Sequence, residues 1–319
     1  MVSPIAKCSD EEFVGLFNHH GATKTSIMLK CTERNVYARR ARLSKLFDAM
    51  MVAPSKQSTI KEYPHRAALN VKNGTVLVGS DFHIWPGVES VALRAFKKLA
   101  KDLKPAAVIL NGDVLDFPKI SRHPPIGWES APSPIEEIEA AQDHLHDIAI
   151  AVGRARKIWT LGNHDARFET RLATVASEYK GIQGIHLSDH FPLWEKGWSC
   201  FINEGVQGGA TMVKHRFKSG QGAPRANTLN AGTSMVTGHL HSQKVIPVTD
   251  YLGTRYGVDS GCVADAKHKA FIDYTEDAPL DWREGFAVLT YRDGKLMQPE
   301  LVSRWDEKHV QFRGEIIRV

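Results

Sequence analysis

The central part of the chain alternates short apolar runs with longer amphipathic stretches. Four apolar runs, each reaching a glycine and then polar residues, predict buried strands at residues 75–79, 107–110, 157–161 and 234–237. Helical spacing predicts helices over residues 88–103, 135–154 and 167–177. Strand and helix in alternation are typical of an α/β domain whose first sheet is largely parallel.

After Gly184 the pattern becomes rich in strands and poor in helices, which predicts a second, mixed sheet. The candidate strands lie near Ile185 and at residues 198–202, 211–213, 245–248, 285–291 and 296–304. The dipeptides Asn73-Gly74 and Asp293-Gly294 are hairpin-turn signals. Small and turn-forming residues at 219–224 predict a flexible loop.

The first fifty residues predict three short helices. Ser9 and Glu12 form a capping box that begins the first helix, and Gly21 ends it. A second helix fits residues 23–30, and Thr32 caps a third. We therefore divide the chain into a small all-α, helix-turn-helix-like unit (1–50), a linker (51–72) that ends in an edge strand, and an α/β domain (73–319).

The third helix is strongly basic, as a DNA recognition helix would be. Residues 32–46 carry five cationic side chains against one acidic residue, and these are candidate DNA-binding residues: Arg34, Arg39, Arg40, Arg42 and Lys45. A basic surface of this kind fits contacts with phosphates. The alternative is a helical packing or dimerisation unit with a solvated basic face.

Composition narrows the class of protein. The 319 residues carry a formal net charge of +5, which permits an anionic partner without requiring one. Four scattered cysteines without a Cys-x-x-Cys pair predict free thiols in a reducing compartment. Because the N-terminus lacks a signal-peptide pattern and no apolar run approaches the roughly 20 residues of a membrane span, we expect a cytoplasmic protein with no membrane partner.

Metal-competent side chains follow the strand signals. In chain order they form five short motifs: Asp81-x-His83, Gly112-Asp113-x-x-Asp116, Gly162-Asn163-His164-Asp165, a lone His215 and Gly238-His239-x-His241. Sites in α/β proteins form beyond the carboxyl ends of the strands, so these residues predict one convergent metal site. Taken singly, Asp81 and Asp113 also suit helix caps or turns, Asn163 suits a turn, and His215 suits a surface position.

The five motifs in this order resemble the signature of the calcineurin-like metallophosphoesterase superfamily, over roughly residues 73–265. The resemblance implies an α/β fold of two packed mixed β-sheets flanked by helices, a four-layer sandwich. It implies two divalent metal ions, of which manganese is favoured and iron, zinc or magnesium are alternatives. The ligands that it implies are Asp81, His83, Asp113 and His241 for the first ion, and Asp113, Asn163, His215 and His239 for the second.

The resemblance also implies how the reaction proceeds. A hydroxide that bridges the two metals would attack phosphorus in line, and His164 would act as general acid. Asp165 would orient His164, while Asp116 would make structural hydrogen bonds near the site. Possible substrate contacts on the surrounding loops are Arg122, His123, Trp128 and Arg216.

The leading hypothesis is a metal-dependent phosphodiesterase or nuclease that acts on DNA. It rests on the basic N-terminal helices and on similarity to the DNA-repair exonuclease branch and to phage-type phosphoesterases with an N-terminal helix-turn-helix. A small-molecule phosphatase or cyclic-nucleotide phosphodiesterase, with the N-terminal helices used for assembly, is the second hypothesis. An inactive DNA-binding regulator is the third. The segment after Ala266 caps the second sheet or forms a homodimer contact.

Overall fold

A computed structural model describes residues 8–46, 63–122, 131–268 and 281–319. The chain divides into two compact units, one formed by Met1–Lys61 with Tyr179–Gln183 and the other by Glu62–Glu178 with Gly184–Val319. Among the described residues, no helix is both long and apolar enough to span a membrane. All four cysteines are free, as predicted.

The described part of the smaller unit contains two helices, α1 (Asp10–Met28) and α2 (Glu33–Leu46). The predicted capping box at Ser9 is present, and Gly21 interrupts α1 with a left-handed backbone (φ 72°), so the predicted break is confirmed. Thr32 accepts a hydrogen bond from the Asn35 backbone N–H, at 3.3 Å, where α2 begins. The apolar faces of the helices meet in a small core around Phe13, Phe17, Val36 and Leu43.

In its described residues, the larger unit holds five further α-helices and two mixed sheets. The helices are α3 (Val91–Leu103), α4 (Pro134–Val152), α5 (Asp165–Val175), α6 (Leu187–His190) and α7 (Ala223–Ala231). The strands are β1 (Ala67–Leu69), β2 (Gly74–Gly79), β3 (Ala107–Leu110), β4 (Arg156–Thr160), β5 (Glu195–Gly197), β6 (Cys200–Ile202), β7 (Thr211–Val213), β8 (Ser234–Thr237), β9 (Lys244–Asp250), β10 (Gly253–Asp259), β11 (Gly285–Arg292), β12 (Lys295–Leu296), β13 (Glu300–Arg304), β14 (His309–Phe312) and β15 (Glu315–Arg318).

The large sheet has the order β15-β14-β13-β11-β2-β3-β4-β5, with β12 paired to β11. Strands β2 to β5 are parallel, as the alternating pattern predicted, and β11 to β15 are antiparallel. The small sheet has the order β1-β6-β7-β8-β10-β9 and is mixed.

Alternation along the strands of the large sheet creates two cores. On one face, Leu77, Leu110 and Trp159 pack in a cluster with residues of α3 and α4. On the other face, Val76 and Val78 share a cluster with buried residues of the small sheet. Helix α7 packs against the small sheet. These layers, helix, sheet, sheet and helix, confirm the predicted sandwich.

Several local predictions are wrong. Ile185 lies in a bend rather than a strand. The loop predicted at 219–224 ends earlier than expected, because α7 begins at Ala223, with Gly222 as its N-cap and a proline in its first turn. Strands β11 and β13 extend the large sheet instead of building a second one.

The dipeptide Asn73-Gly74 does not close a hairpin, because β1 and β2 belong to different sheets. Its Asn73 side chain accepts a hydrogen bond from the Asp293 backbone N–H, at 3.0 Å. The hairpin at Asp293-Gly294 is confirmed.

Candidate dinuclear metal centre

The candidate ligands lie where parallel strands end. Strands β2, β3 and β4 run parallel, so the segments that follow them, with Asp81, Asp113 and Asn163, leave the same edge of the large sheet. In the small sheet, β7 and β8 are also parallel, and they lead into His215 and into the motif of His239. The two sheets therefore present their polar loops to one another.

The candidate ligands form two adjoining groups, and a third group of metal-competent side chains, His83, Asp116 and His164, shares His83 with the first. Asp81, His83 and His241 offer ligand atoms that all lie within 4.8 Å of one another, and so do Asp113, His215 and His239. In the first group His241 Nε2 lies 3.0 Å from Asp81 Oδ1. In the second, His215 Nε2 lies 2.9 Å from Asp113 Oδ2. The groups touch, because the same His215 atom is 3.9 Å from Asp81 Oδ1.

Five of these side chains project from a left-handed backbone, which non-glycine residues rarely adopt. The residues are Asp81 (φ 54°), His83 (φ 38°), Asp113 (φ 50°), His239 (φ 72°) and His241 (φ 58°). Such a backbone costs free energy and persists only where the surrounding structure fixes it. The chain thus bends sharply to bring acid and imidazole groups into a small space.

Glycines beside the ligands allow this close approach. A Cβ atom on Gly112 would lie 2.5 Å from the His215 ring, and one on Gly162 would overlap the Asp113 carboxylate. A Cβ on Gly238 would overlap the Ser80 hydroxyl, which itself donates to the Asn111 carbonyl at 2.9 Å. The glycine in each motif is therefore required by packing.

The donor set fits divalent cations. Buried polar atoms are normally hydrogen-bonded, yet Asn163 Oδ1 and His241 Nδ1 are buried with no hydrogen-bond partner among the described residues. His215 Nδ1 lies 2.8 Å from the Asn111 carbonyl, which leaves Nε2 as the ligand atom. Imidazole nitrogens, carboxylates and one amide oxygen suit Mn²⁺, Fe or Zn²⁺. Asp81, His83 and His241 would hold one ion, Asp113, Asn163, His215 and His239 the other, with Asp113 between them.

Opposite charges balance inside the centre. Burial alone would raise the pKa of Asp81, but the imidazoles of His241 and His215 lower it to about 2. Burial alone would lower the pKa of His215, but the Asp113 and Asp81 carboxylates raise it to about 10. The buried carboxylates thus need cationic neighbours, a role that bound metal ions would fill in place of these protons.

His164 stands beside the centre and is held by Asp116. Its backbone N–H donates to Asp113 Oδ1 at 2.8 Å, and its Nδ1 lies 2.6 Å from Asp116 Oδ1. Its Nε2 lies 3.9 Å from Asp113 Oδ2 and 3.2 Å from a guanidinium nitrogen of Arg167. Because the Asp116 carboxylate holds Nδ1, Nε2 is the ring nitrogen turned toward Asp113 and Arg167.

The prediction that Asp165 orients His164 is wrong. Asp165 is 1% exposed, and its carboxylate accepts hydrogen bonds from the backbone N–H groups of Gly162, Asp113 and Val114, at 2.8–2.9 Å, and from Trp159 Nε1 at 3.0 Å. It therefore ties the β3 and β4 loops together. It is Asp116 that contacts His164. The Asp116 carboxylate also contacts a second imidazole, at His83 Nδ1, 3.1 Å away.

The possible substrate contacts have different outcomes. Arg122 and Arg216 are both exposed, whereas His123 and Trp128 lie outside the described residues. Sequence reasoning missed Arg167 and Trp282, whose indole lies 4.2 Å from the His241 ring between centroids. The position of Arg167, three residues after His164 at the start of a helix, was an available signal.

The candidate DNA-binding residues of α2 do not share one surface. Arg34 and Lys45 are exposed, and Arg42 is exposed while pairing with Asp10. Arg40 is half-buried, with its guanidinium 5.6 Å from the Phe17 ring centroid. Arg39 is the correction: its side chain is 4% exposed and binds Asp10 at 2.6 Å, so it holds the two helices together.

A family of known proteins and two phage proteins match this chain. The family described as calcineurin-like phosphoesterase matches residues 74–243, more than half of the chain. The Gene 54 protein of Mycobacterium phage D29 is 28% identical over 248 residues, covering 71% of this chain and 92% of the phage protein. The Gene 54 protein of Mycobacterium phage L5 is 27% identical over 252 residues, with the same coverage.

Two solved structures are distant in sequence. Vps29 of Entamoeba histolytica is 14% identical, with a TM-score of 0.42, covering 77% of this chain and 99% of that one. A dimetal phosphatase of Danio rerio is 10% identical, with a TM-score of 0.35, covering 77% and 98%. On the family match, the resemblance drawn from the five motifs is confirmed: the chain belongs to the calcineurin-like phosphoesterase family.

Proposed function

We propose that this protein is a dinuclear-metal phosphodiesterase that cleaves DNA. The observation that carries the enzymatic part is the adjacency of the two ligand groups, with His164 beside them. When bound, two divalent ions activate water and stabilise the charge that develops on the phosphoryl oxygens. All seven ligand residues required for such a pair are present, so the centre supports activity rather than a purely regulatory role.

His164 serves the leaving group. Hydrolysis breaks one P–O bond, and the departing oxygen needs a proton. Asp116 accepts from Nδ1 and stabilises the imidazolium form of the ring, which is the form that can donate a proton from Nε2. In this structure Nε2 accepts from Arg167, so it must exchange that contact for the leaving oxygen. Asp116 itself stays ionised, because burial, which alone would raise its pKa, is outweighed by hydrogen bonds from His164 and His83 that lower it.

Arg167 supplies positive charge next to His164 Nε2. Its two terminal nitrogens contact the Asp116 carbonyl, at 2.7 Å, and His164 Nε2. Since the guanidinium has five donors in a planar fork, it can keep the carbonyl and exchange the imidazole for a phosphoryl oxygen. Arg167 is therefore assigned to phosphate binding.

DNA as the substrate is the finer part of the proposal. It is supported by the exposed cations Arg34, Arg42 and Lys45 on α2, which suit phosphate contacts. The cations on either side of His215, half-buried Lys214 and exposed Arg216, form no ion pair with a described carboxylate; they support it independently, and we return to them below.

The test is hydrolysis by metal-stripped protein resupplied with Mn²⁺, Mg²⁺ or Zn²⁺. The substrates are bis-p-nitrophenyl phosphate and linear single- and double-stranded DNA. We expect metal-dependent cleavage of the small diester and of DNA. Cleavage of the small diester alone would reject DNA and favour a nucleotide or other small phosphoester, and absence of both activities would reject the phosphodiesterase.

A further inference from the structure

A long stretch of sequence that includes His215 and His239, two members of the second ligand group, contains no acidic residue. Residues 205–249 contain five Lys or Arg residues and no Asp or Glu. Three of the metal-ligand histidines lie in the same segment. An anionic chain that reaches the centre along this side meets only neutral and positive side chains of that segment.

Part of this segment forms a surface that we call the basic strip, defined by Lys214, Arg216, Phe217, Lys218 and Arg225. Arg216, Lys218 and Arg225 are exposed, and Phe217 is 48% exposed. None of the four cations pairs with a carboxylate in the parts of the chain that the structure describes, whereas Lys244, further along, pairs with Asp281. The strip therefore keeps its charge available for a ligand.

The backbone of the strip is anchored at both ends. Next to His215, the Lys214 N–H donates to the Val236 carbonyl at 3.0 Å, and the His215 carbonyl accepts from the Gly238 N–H at 2.9 Å. Further on, the Lys218 N–H donates to Asn227 Oδ1 at 3.0 Å, and Asn227 is 1% exposed. Exposed cations on a fixed backbone lose less entropy when they bind than cations on a free loop.

We propose that the basic strip carries a single DNA strand to the metal centre. His215 joins the strip to the second ligand group, so a strand whose scissile phosphate lies at the metals would place neighbouring phosphates along Arg216, Lys218 and Arg225. An exposed aromatic ring among cations is the arrangement by which proteins bind single strands without sequence preference. This inference rests on the proposed function and names its substrate as single-stranded DNA.

The first experiment measures binding without cleavage. Full-length protein in EDTA is titrated against a fluorescent oligothymidylate and a duplex at several salt concentrations. The test variant is Arg216→Gln/Lys218→Gln/Arg225→Gln. The matched control is Arg292→Gln/Lys295→Gln/Lys308→Gln, which removes three exposed cations of the large sheet. Each lost phosphate contact reduces the single-strand salt slope by roughly 0.7, so we expect a slope smaller by about 2 in the test variant and unchanged in the control.

A second variant tests stacking. Phe217→Ala should weaken oligothymidylate binding about fivefold or more, because one base–aromatic stack contributes roughly 1 to 3 kcal/mol. Duplex binding should change less, since paired bases do not open onto the ring. Equal losses on both DNA forms would overturn the single-strand assignment.

Cleavage of the same oligonucleotide with Mn²⁺ separates the two proposals. If the wild type cleaves DNA and the test variant binds and cleaves as the control does, the strip assignment is wrong and the proposed function stands. If the test variant loses binding but the wild type leaves the DNA intact, the strip assignment stands and the DNA nuclease is rejected. We expect the loss of kcat/KM in the test variant to be at least about tenfold larger on DNA than on bis-p-nitrophenyl phosphate.

Discussion

The metal centre and the basic strip meet at His215, but the chain holds their side chains in opposite ways. In the candidate centre, five of the seven proposed ligand side chains project from left-handed backbone, and three neighbouring glycines leave no room for a Cβ atom, so the ligand positions are tightly constrained. In the strip, the cations are exposed and unpaired among the described residues, so each can move to meet a phosphate. Single substitutions should therefore disable the centre, whereas substitutions in the strip should add up and depend on salt.

The largest effect is expected for Asp113→Asn. Removing this carboxylate charge weakens both ion sites, so turnover of bis-p-nitrophenyl phosphate should be abolished and bound metal should fall, as measured by mass spectrometry of metal content. Asp293→Asn is the matched control, since Asp293 has nearly the same backbone (φ 48° against 50°) in a hairpin turn. Wild-type turnover in Asp113→Asn would contradict the central position of this residue.

A smaller effect is expected for His164→Ala and Asp116→Asn. Loss of a general acid typically costs 10² to 10⁴ in rate, and Asp116→Asn should lower the rate in the same direction by releasing the imidazole. His164→Ala should keep near wild-type metal content, whereas Asp116→Asn also releases Nδ1 of the candidate ligand His83 and should bind metal more weakly. Both variants should lose more activity on diesters with poor leaving groups. Loss of metal in His164→Ala would show instead that His164 is a ligand.

Next in size is a change in stability from Gly162→Ala. The added Cβ overlaps the Asp113 carboxylate, and overpacking of this kind costs about 1–3 kcal/mol. Chemical denaturation should show that loss, whereas Gly15→Ala, which has open space around its Cα, should show none. Equal free energies of unfolding for the two variants would mean that the loop after β4 moves away from Asp113 at little cost, so that Gly162 does not constrain the Asp113 carboxylate.

The smallest effect concerns Glu137, which supports the Asp116 loop from α4. Its carboxylate accepts from the backbone N–H groups of Asp116 and Phe117, at 3.0 and 2.8 Å, and burial raises its pKa to about 8 from the ordinary 4.5. The neutral form is thus favoured in the folded state. Its contribution to the free energy of unfolding is full below pH 4.5 and is lost as the pH rises to about 8.

Glu137→Gln keeps the acceptor and removes this titration. In denaturant titrations of metal-free protein, the variant should gain stability relative to the wild type between pH 5 and pH 8. Glu139→Gln, on the exposed face of the same helix, should parallel the wild type. If the difference in free energy of unfolding between the variant and the wild type is the same at pH 5 and at pH 8, Glu137 is already ionised in the folded protein at pH 5.

The metal-ligand groups were readable from the sequence because parallel strands end at one edge. Where a predicted buried strand ends at a glycine followed by an acidic residue or a histidine, that side chain must lie at the carboxyl end of the strand. Parallel strands therefore bring such side chains to the same edge of the sheet. The break at Gly21 and the cap at Ser9 were readable for the same reason, since the signal and the structure are both local.

Contacts made across the fold were not readable in this way. Asp165 adjoins His164 in sequence, yet the carboxylate that reaches the ring is Asp116, from the loop after another strand. Arg39 looked like surface charge within a basic run, although its helical spacing from Val36 and Leu43 places it on the buried face, where Asp10 neutralises it. Likewise, Asn73-Gly74 has hairpin chemistry but lies between two sheets, a matter of topology alone.

The most direct test of the account is the stoichiometry of metal binding. Metal-stripped protein would be titrated with Mn²⁺ while bound metal and hydrolysis of bis-p-nitrophenyl phosphate are followed together. The two adjoining ligand groups predict two ions per chain and activity that rises only as the second ion binds. A single ion at saturation, or full activity in EDTA, would contradict a dinuclear centre.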